Sequence, residues 1–178
     1  MKRFTYFIIL AGIVVVVSAC AQIKPGDNIG SMTVEEHSMS TKYPNIYDFC
    51  IYSPEGKKPS IQMTECNVPL TSRIQVQFGW SANDKTSLNS NWDAMTWEMY
   101  IDNHQVALDE FGQWSDSGRP DLGVNNFARG WILDLNNVSP GKHTLRYSWT
   151  SEIAIDDGLI VHQPGTYEHV VNFTVAEK

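Results

Sequence analysis

The strongest constraint on what this chain can become is a period of two in its apolar residues, sustained from about Ile46 onward. Ile74, Val76, Phe78 and Trp80 alternate with Arg73, Gln75, Gln77 and Gly79. Met95, Trp97, Met99 and Ile101 alternate with Thr96, Glu98 and Tyr100. Trp131, Leu133 and Leu135 make a third run, Leu145, Tyr147 and Trp149 a fourth, and Tyr167, His169, Val171, Phe173 and Val175 the last. A strand turns successive side chains to opposite faces, so each run marks a half-buried strand. Asp102-Asn103, Pro140-Gly141, Asp157-Gly158 and Pro164-Gly165 separate the runs and read as turns. No segment of ten residues carries the apolar stripe of an amphipathic helix. Six or more short strands with turns between them predict an all-β, antiparallel sandwich.

The N-terminus has a different grammar. Lys2 and Arg3 precede the uncharged stretch Phe4 to Val17, then come Ser18, Ala19 and Cys20. That order is the layout of a secretory signal segment. Val17-Ser18-Ala19-Cys20 resembles the lipobox of bacterial lipoproteins. The resemblance implies cleavage before Cys20 and a diacylglycerol thioether on its thiol, with several acyl chains of the palmitate type giving a stable anchor. It also implies an extracytoplasmic place in the cell envelope. In a host with two membranes, Ala21 in place of aspartate points to the outer one. Two other readings stay open: an ordinary secretory signal, and a membrane-spanning helix, although Phe4 to Val17 falls short of the roughly 20 residues that a span requires. The expected layout is a signal peptide at 1–19, a lipidated tether at 20–45 with an early strand near Met32 to His37, and a β-sandwich domain at 46–178.

Without residues 1–19 the chain keeps 159 residues, with 11 basic and 20 acidic side chains, a net charge of −9. That length suffices for one domain with a full core. Such an acidic surface is repelled by phosphate backbones, so nucleic acid is not an expected partner. With Cys20 lipidated, Cys50 and Cys66 remain, and in an exported chain they are expected to form a structural disulfide. The residues around them read as two strands, Tyr47 to Tyr52 and Ile61 to Glu65, joined by the turn Ser53 to Pro59. Metal or redox use would favour Cys-x-x-Cys spacing instead.

Val138-Ser139-Pro140-Gly141-Lys142-His143-Thr144-Leu145-Arg146-Tyr147 is similar to the Pro-Gly-x-His-Thr-Leu turn and strand of bacterial immunoglobulin-like domains. The resemblance implies an immunoglobulin-like or fibronectin-like sandwich. In it this strand is penultimate, and Pro164 to Val175 is the closing strand.

Motifs that carry chemistry are few. Gly-x-Ser-x-Gly, His-Glu-x-x-His and a phosphate-cradling glycine loop are missing, and the five histidines are dispersed. No catalytic residue, cofactor or metal ligand is therefore assigned. Asp109, Glu110, Asp116, Asp121, Glu152, Asp156 and Asp157 fall in expected loops, where two of them suffice for a glycosidase. Asp156-Asp157-Gly158 also offers oxygens to calcium, but a plain acidic turn accounts for it equally. Trp92 and Trp114 stand outside the strand runs, and Trp114 lies in a long stretch with little strand pattern, 111–130, that also holds Arg119 and Asp121. An exposed indole beside such polar groups suits sugar binding; alternatively the loop folds back and buries it. The expected function is a lipid-anchored extracytoplasmic binding or structural module without catalytic activity. The alternatives are a carbohydrate-binding module using Trp114 and Trp92, a small glycan-cleaving enzyme using loop carboxylates, and an envelope protein's assembly partner. Recognition is expected at residues 111–130 and 150–166.

Overall fold

The computed structural model describes residues 22–38, 43–50, 58–70, 73–117 and 127–177. In chain order the elements are β1 (Asn28–Ile29), β2 (Met32–Glu36), a 3₁₀ turn (Ile46–Phe49), β3 (Ile61–Val68) and β4 (Arg73–Ala82). A helix α1 (Lys85–Asp93), β5 (Met95–Ile101), β6 (His104–Gln105), a second 3₁₀ turn (Leu108–Glu110) and β7 (Gln113–Asp116) follow. The chain continues through β8 (Phe127–Asn136), β9 (Gly141–Ser151), β10 (Ile155–Asp156), β11 (Val161–His162) and β12 (Gly165–Val175).

These strands form an all-β sandwich. One sheet runs β1-β2-β8-β4, with β7 sharing the β2 side of β8; the other runs β3-β12-β9-β5-β6. A small β10–β11 hairpin stands apart. Every pairing of named strands is antiparallel except β3–β12, which is parallel from Glu168↔Ile61 to Val175↔Val68. The two sheets meet through their aromatic rings. Phe78 lies 5.3 Å from Tyr147, and Trp80 packs edge-on at 5.0 Å against Trp149. The alternating residues close the interior as the period of two requires: Ile74, Val76, Leu133, Leu135, Leu145 and Val171 are fully buried. Each such side chain stabilises the fold by about 1.5–3 kcal/mol relative to exposure.

Turn chemistry follows the residues. Asp102 and Asn103 both take positive φ, 46° and 65°, the backbone that a two-residue hairpin between β5 and β6 needs. The Asp102 carboxylate also accepts from the Thr144 N–H at 2.8 Å and lies 2.7 Å from His143 Nδ1. His143 stacks on Phe173, so the Pro-Gly-x-His-Thr segment serves as a structural clasp.

Three expectations are corrected. Residues 46–49 form a 3₁₀ turn and not a strand. Asn45 Oδ1 accepts from the Tyr47 N–H, and Asp48 Oδ2 accepts from the Asn45 N–H, a reciprocal cap that curls the chain before it can extend. The disulfide Cys50–Cys66 is present, but it ties the end of this turn to β3. The tether also belongs to the domain. Ile23 bridges to Val106, β2 pairs with β8, and Ile23, Met32 and Val34 are buried. Cys20, Ile51, Tyr52 and most of the expected turn after them lie outside the described residues.

Helix α1 was hidden for a simple reason. Its sequence is Ser- and Asn-rich, and of its buried residues Leu88, Asn91 and Trp92 only two are apolar. Asp84 caps it, accepting from the Ser87 N–H at 2.9 Å.

Candidate functional site

The site begins with a glycine pair. Gly79 on β4 stands directly opposite Gly130 on β8, and the same row continues to Trp114 on β7. A Cβ at Gly79 would overlap the Arg129 carbonyl and lie 2.6 Å from the Gly130 Cα. One at Gly130 would overlap the Phe78 carbonyl. A glycine inside a strand pattern marks such a close backbone approach. On the outer sheet face the two bare positions leave a shallow floor beside the half-buried Trp114.

The opposite face of β4 carries Phe78 and Trp80 into the sandwich. There the sheets part into a cleft of about 610 Å³, walled by Trp80, Trp97, Tyr147 and Trp149, with Tyr47 and the β10–β11 hairpin at its mouth. A second hollow of about 300 Å³ lies over the outer face, between Gln77, Ser81, Trp114 and Ala128. Both are lined by the same five residues, Gln77 to Ser81. Buried ring nitrogens converge on this region. Among the described residues, Trp80 Nε1, Trp97 Nε1, Trp114 Nε1 and His162 Nδ1 have no hydrogen-bond partner. An unsatisfied buried donor costs about 1–3 kcal/mol, so their accumulation near one cleft is a local departure from a well-satisfied core.

Polar groups at the cleft are held in place. Asp157 Oδ1 accepts from the Leu159 and Ile160 N–H groups, each at 2.7 Å, which fixes the β10–β11 turn. Its Oδ2 lies 3.4 Å from Nε2 of the buried His162. Behind Tyr147, its hydroxyl meets His169 Nδ1 at 2.6 Å, while Thr64 Oγ1 meets Nε2 at 2.8 Å. Burial pushes the His169 imidazole below its ordinary value of 6.5.

The residues singled out from the sequence do not gather at one loop. Trp92 is buried on α1, within 5.0 Å of Trp131, with Arg129 over its ring at 4.7 Å. It is a core residue and offers no face for sugar stacking, which corrects that expectation. Trp114 sits on β7, because its loop returns to the sheet as a strand at Gln113–Asp116. Arg119 and Asp121 lie outside the described residues. Of the loop carboxylates among the described residues, Asp157 alone lines the cleft. Among the described residues no group of three or more His, Cys, Asp or Glu side chains is placed to hold a metal ion. The cleft walls Trp97 and Tyr147 were legible only as core residues. The one sequence signal for the cleft was Gly79, a glycine within a strand.

No protein-family model and no curated protein matches the sequence. Among solved structures, PbICP-C in its complex with falcipain-2 is 10% identical over 70% of this chain and 96% of its own, with a TM-score of 0.37. The cysteine protease inhibitor EhICP2 from Entamoeba histolytica is 11% identical over 67% of this chain and 96% of its own, with a TM-score of 0.32. Superpositions this loose establish neither a common fold nor a common partner.

Proposed function

We propose that this chain is a lipid-anchored binding module of the cell envelope, held at Cys20, with an immunoglobulin-like sandwich that takes its partner at the aromatic cleft beside β4. The observation that carries the binding reading is the cleft itself: about 610 Å³ of concave space lined by the rings of Tyr47, Phe78, Trp80, Trp97, Tyr147 and Trp149, with the Asp157 carboxylate fixed beside them. Binding sites are concave, mostly apolar and furnished with a small number of placed polar groups. The lipobox resemblance at Val17-Ser18-Ala19-Cys20 supports the anchor. The test is photocrosslinking in cells with Gln77→p-benzoylphenylalanine, compared with the same substitution at the exposed Lys142. A discrete adduct from position 77, in the membrane fraction and absent from position 142, is expected. Adding Cys20→Ala should move the protein out of that fraction. Identical crosslinking at both positions sinks the cleft reading, and a Cys20→Ala protein that stays membrane-bound sinks the anchor.

A further inference from the structure

The edge of β4 is paired at both ends and open between them. At one end the Gln75 N–H donates to the Pro44 carbonyl at 2.9 Å, and Asn45 bridges Gln75 in parallel. The chain then curls into the Ile46–Phe49 turn and leaves the edge. At the other end the Asn83 N–H donates to the Asp157 carbonyl at 2.9 Å. The β4–β8 register runs without a bulge from Arg73↔Asn136 to Ala82↔Phe127. In an antiparallel pair, alternate residues turn their N–H and C=O groups away from the partner strand. Since Gln75 and Asn83 both face outward, so do Gln77, Gly79 and Ser81 between them. Among the described residues nothing bonds to these three outward positions, which span ~13 Å of strand.

We infer that this window accepts an extended peptide of a partner protein as an added strand, with its side chains falling alternately into the cleft and the outer hollow. This deepens the proposed binding function and rests on it. An added strand presents side chains to both faces with a period of two, and β4 has a hollow on each face lined by the same five residues. Backbone bonds to an edge, with pockets for alternate side chains, are the means by which strand addition recognises a peptide. The chain already performs it once, with Pro44-Asn45 on the same edge, so the window continues an existing pairing. Charge selects the occupant. Among the described residues, the formal charge lining the cleft is that of Asp157, and the whole chain carries −7. A second copy of the chain would therefore be repelled, and the fitting peptide is neutral or basic, with large apolar residues on the cleft side. Ile160, on the hairpin at the mouth, adds to the apolar lining.

The experiment uses the purified full chain and a nine-residue probe in which valine or phenylalanine alternates with threonine, closed by lysine. Two further copies carry N-methyl groups on the odd or on the even amides. One set of amides faces β4 and the other faces solvent, so one copy should bind about tenfold or more weaker while the other matches the parent. Ser81→Pro, which removes one outward N–H at a strand edge where proline is tolerated, should weaken the parent peptide similarly without lowering the melting temperature. If both methylated copies bind as the parent does, with tryptophan fluorescence still perturbed, strand addition is overturned while the cleft remains a binding site. A soluble β-linked hexasaccharide that perturbs the indoles where the peptides do not assigns the cleft to a glycan and overturns the peptide. Self-association abolished by Ser81→Pro assigns the edge to a second copy. No response at the cleft to peptide or sugar removes the inference and its foundation together.

Discussion

Gly130 illustrates how one missing side chain shapes a surface. Its row, Gly79–Gly130–Trp114, leaves two bare backbone positions flanked by an indole, and any Cβ there meets backbone, which cannot swing away. Gly130→Ala should therefore destabilise the fold by about 1–3 kcal/mol, read as a shifted denaturation midpoint. Ser81→Ala, on the exposed edge of β4, should stay within about 0.5 kcal/mol. Equal effects would remove the close-approach argument. His169 gives a second prediction, in pH. Burial holds its folded-state pKa below the ordinary 6.5, so as acid is added the unfolded chain takes up the proton first. The stability this residue contributes is complete above 6.5 and is lost as pH falls through the folded value. Asp134 acts in the opposite sense. Burial raises its carboxyl above 3.8 despite the His37 hydrogen bond, and its contribution, full below 3.8, is lost as pH rises through the folded value. The difference between the parent and His169→Gln isolates the histidine. Their stability-against-pH curves should diverge below 6.5, with the variant flatter; parallel curves would sink the assignment.

Among the elements, the 3₁₀ turn depends on its crosslink. Cys50–Cys66 closes a loop over a sequence separation of 16, worth about 3 kcal/mol in the chain-entropy account. The double substitution Cys50→Ala with Cys66→Ala should lower stability by about that amount in urea titrations. It should also free Tyr47 at the cleft mouth, seen as faster amide exchange at residues 46–50; unchanged exchange there would mean that the caps alone hold the turn. Which elements were readable from residues follows from what each one buries. β4, β5, β8, β9 and β12 have one face in the core, so alternation announced them. β7 did not: Gln113–Asp116 is short and lies mostly toward solvent, and it is a strand because β8 has room beside β2. Residues 47–50 carry strand-like aromatics, but Asn45 and Asp48 bind nearby backbone and win locally. The cleft was hidden for a related reason. Trp80, Trp97 and Trp149 obey core alternation, and nothing in a period of two says where two sheets separate. Only Gly79, breaking the β4 run, marked the place.

At the scale of the molecule, an acidic sandwich presents an aromatic opening on a strand edge, away from the clasp formed by Asp102 and His143. The order of strands in space differs from their order in the chain. β12 lies between β3 and β9, and it is the β12 pairing that places β3 in its sheet, through a parallel register that links Ile61 to Glu168. That arrangement sets a timetable. While the chain is being made, β3 waits for more than a hundred residues with Cys66 and Val68 uncovered, and the second sheet lacks its middle until Gly165–Val175 has appeared. Such long-range closure makes folding slow and late. Under the export proposed above, that timetable keeps the polypeptide unfolded, and so able to be threaded, until its last strand has been made.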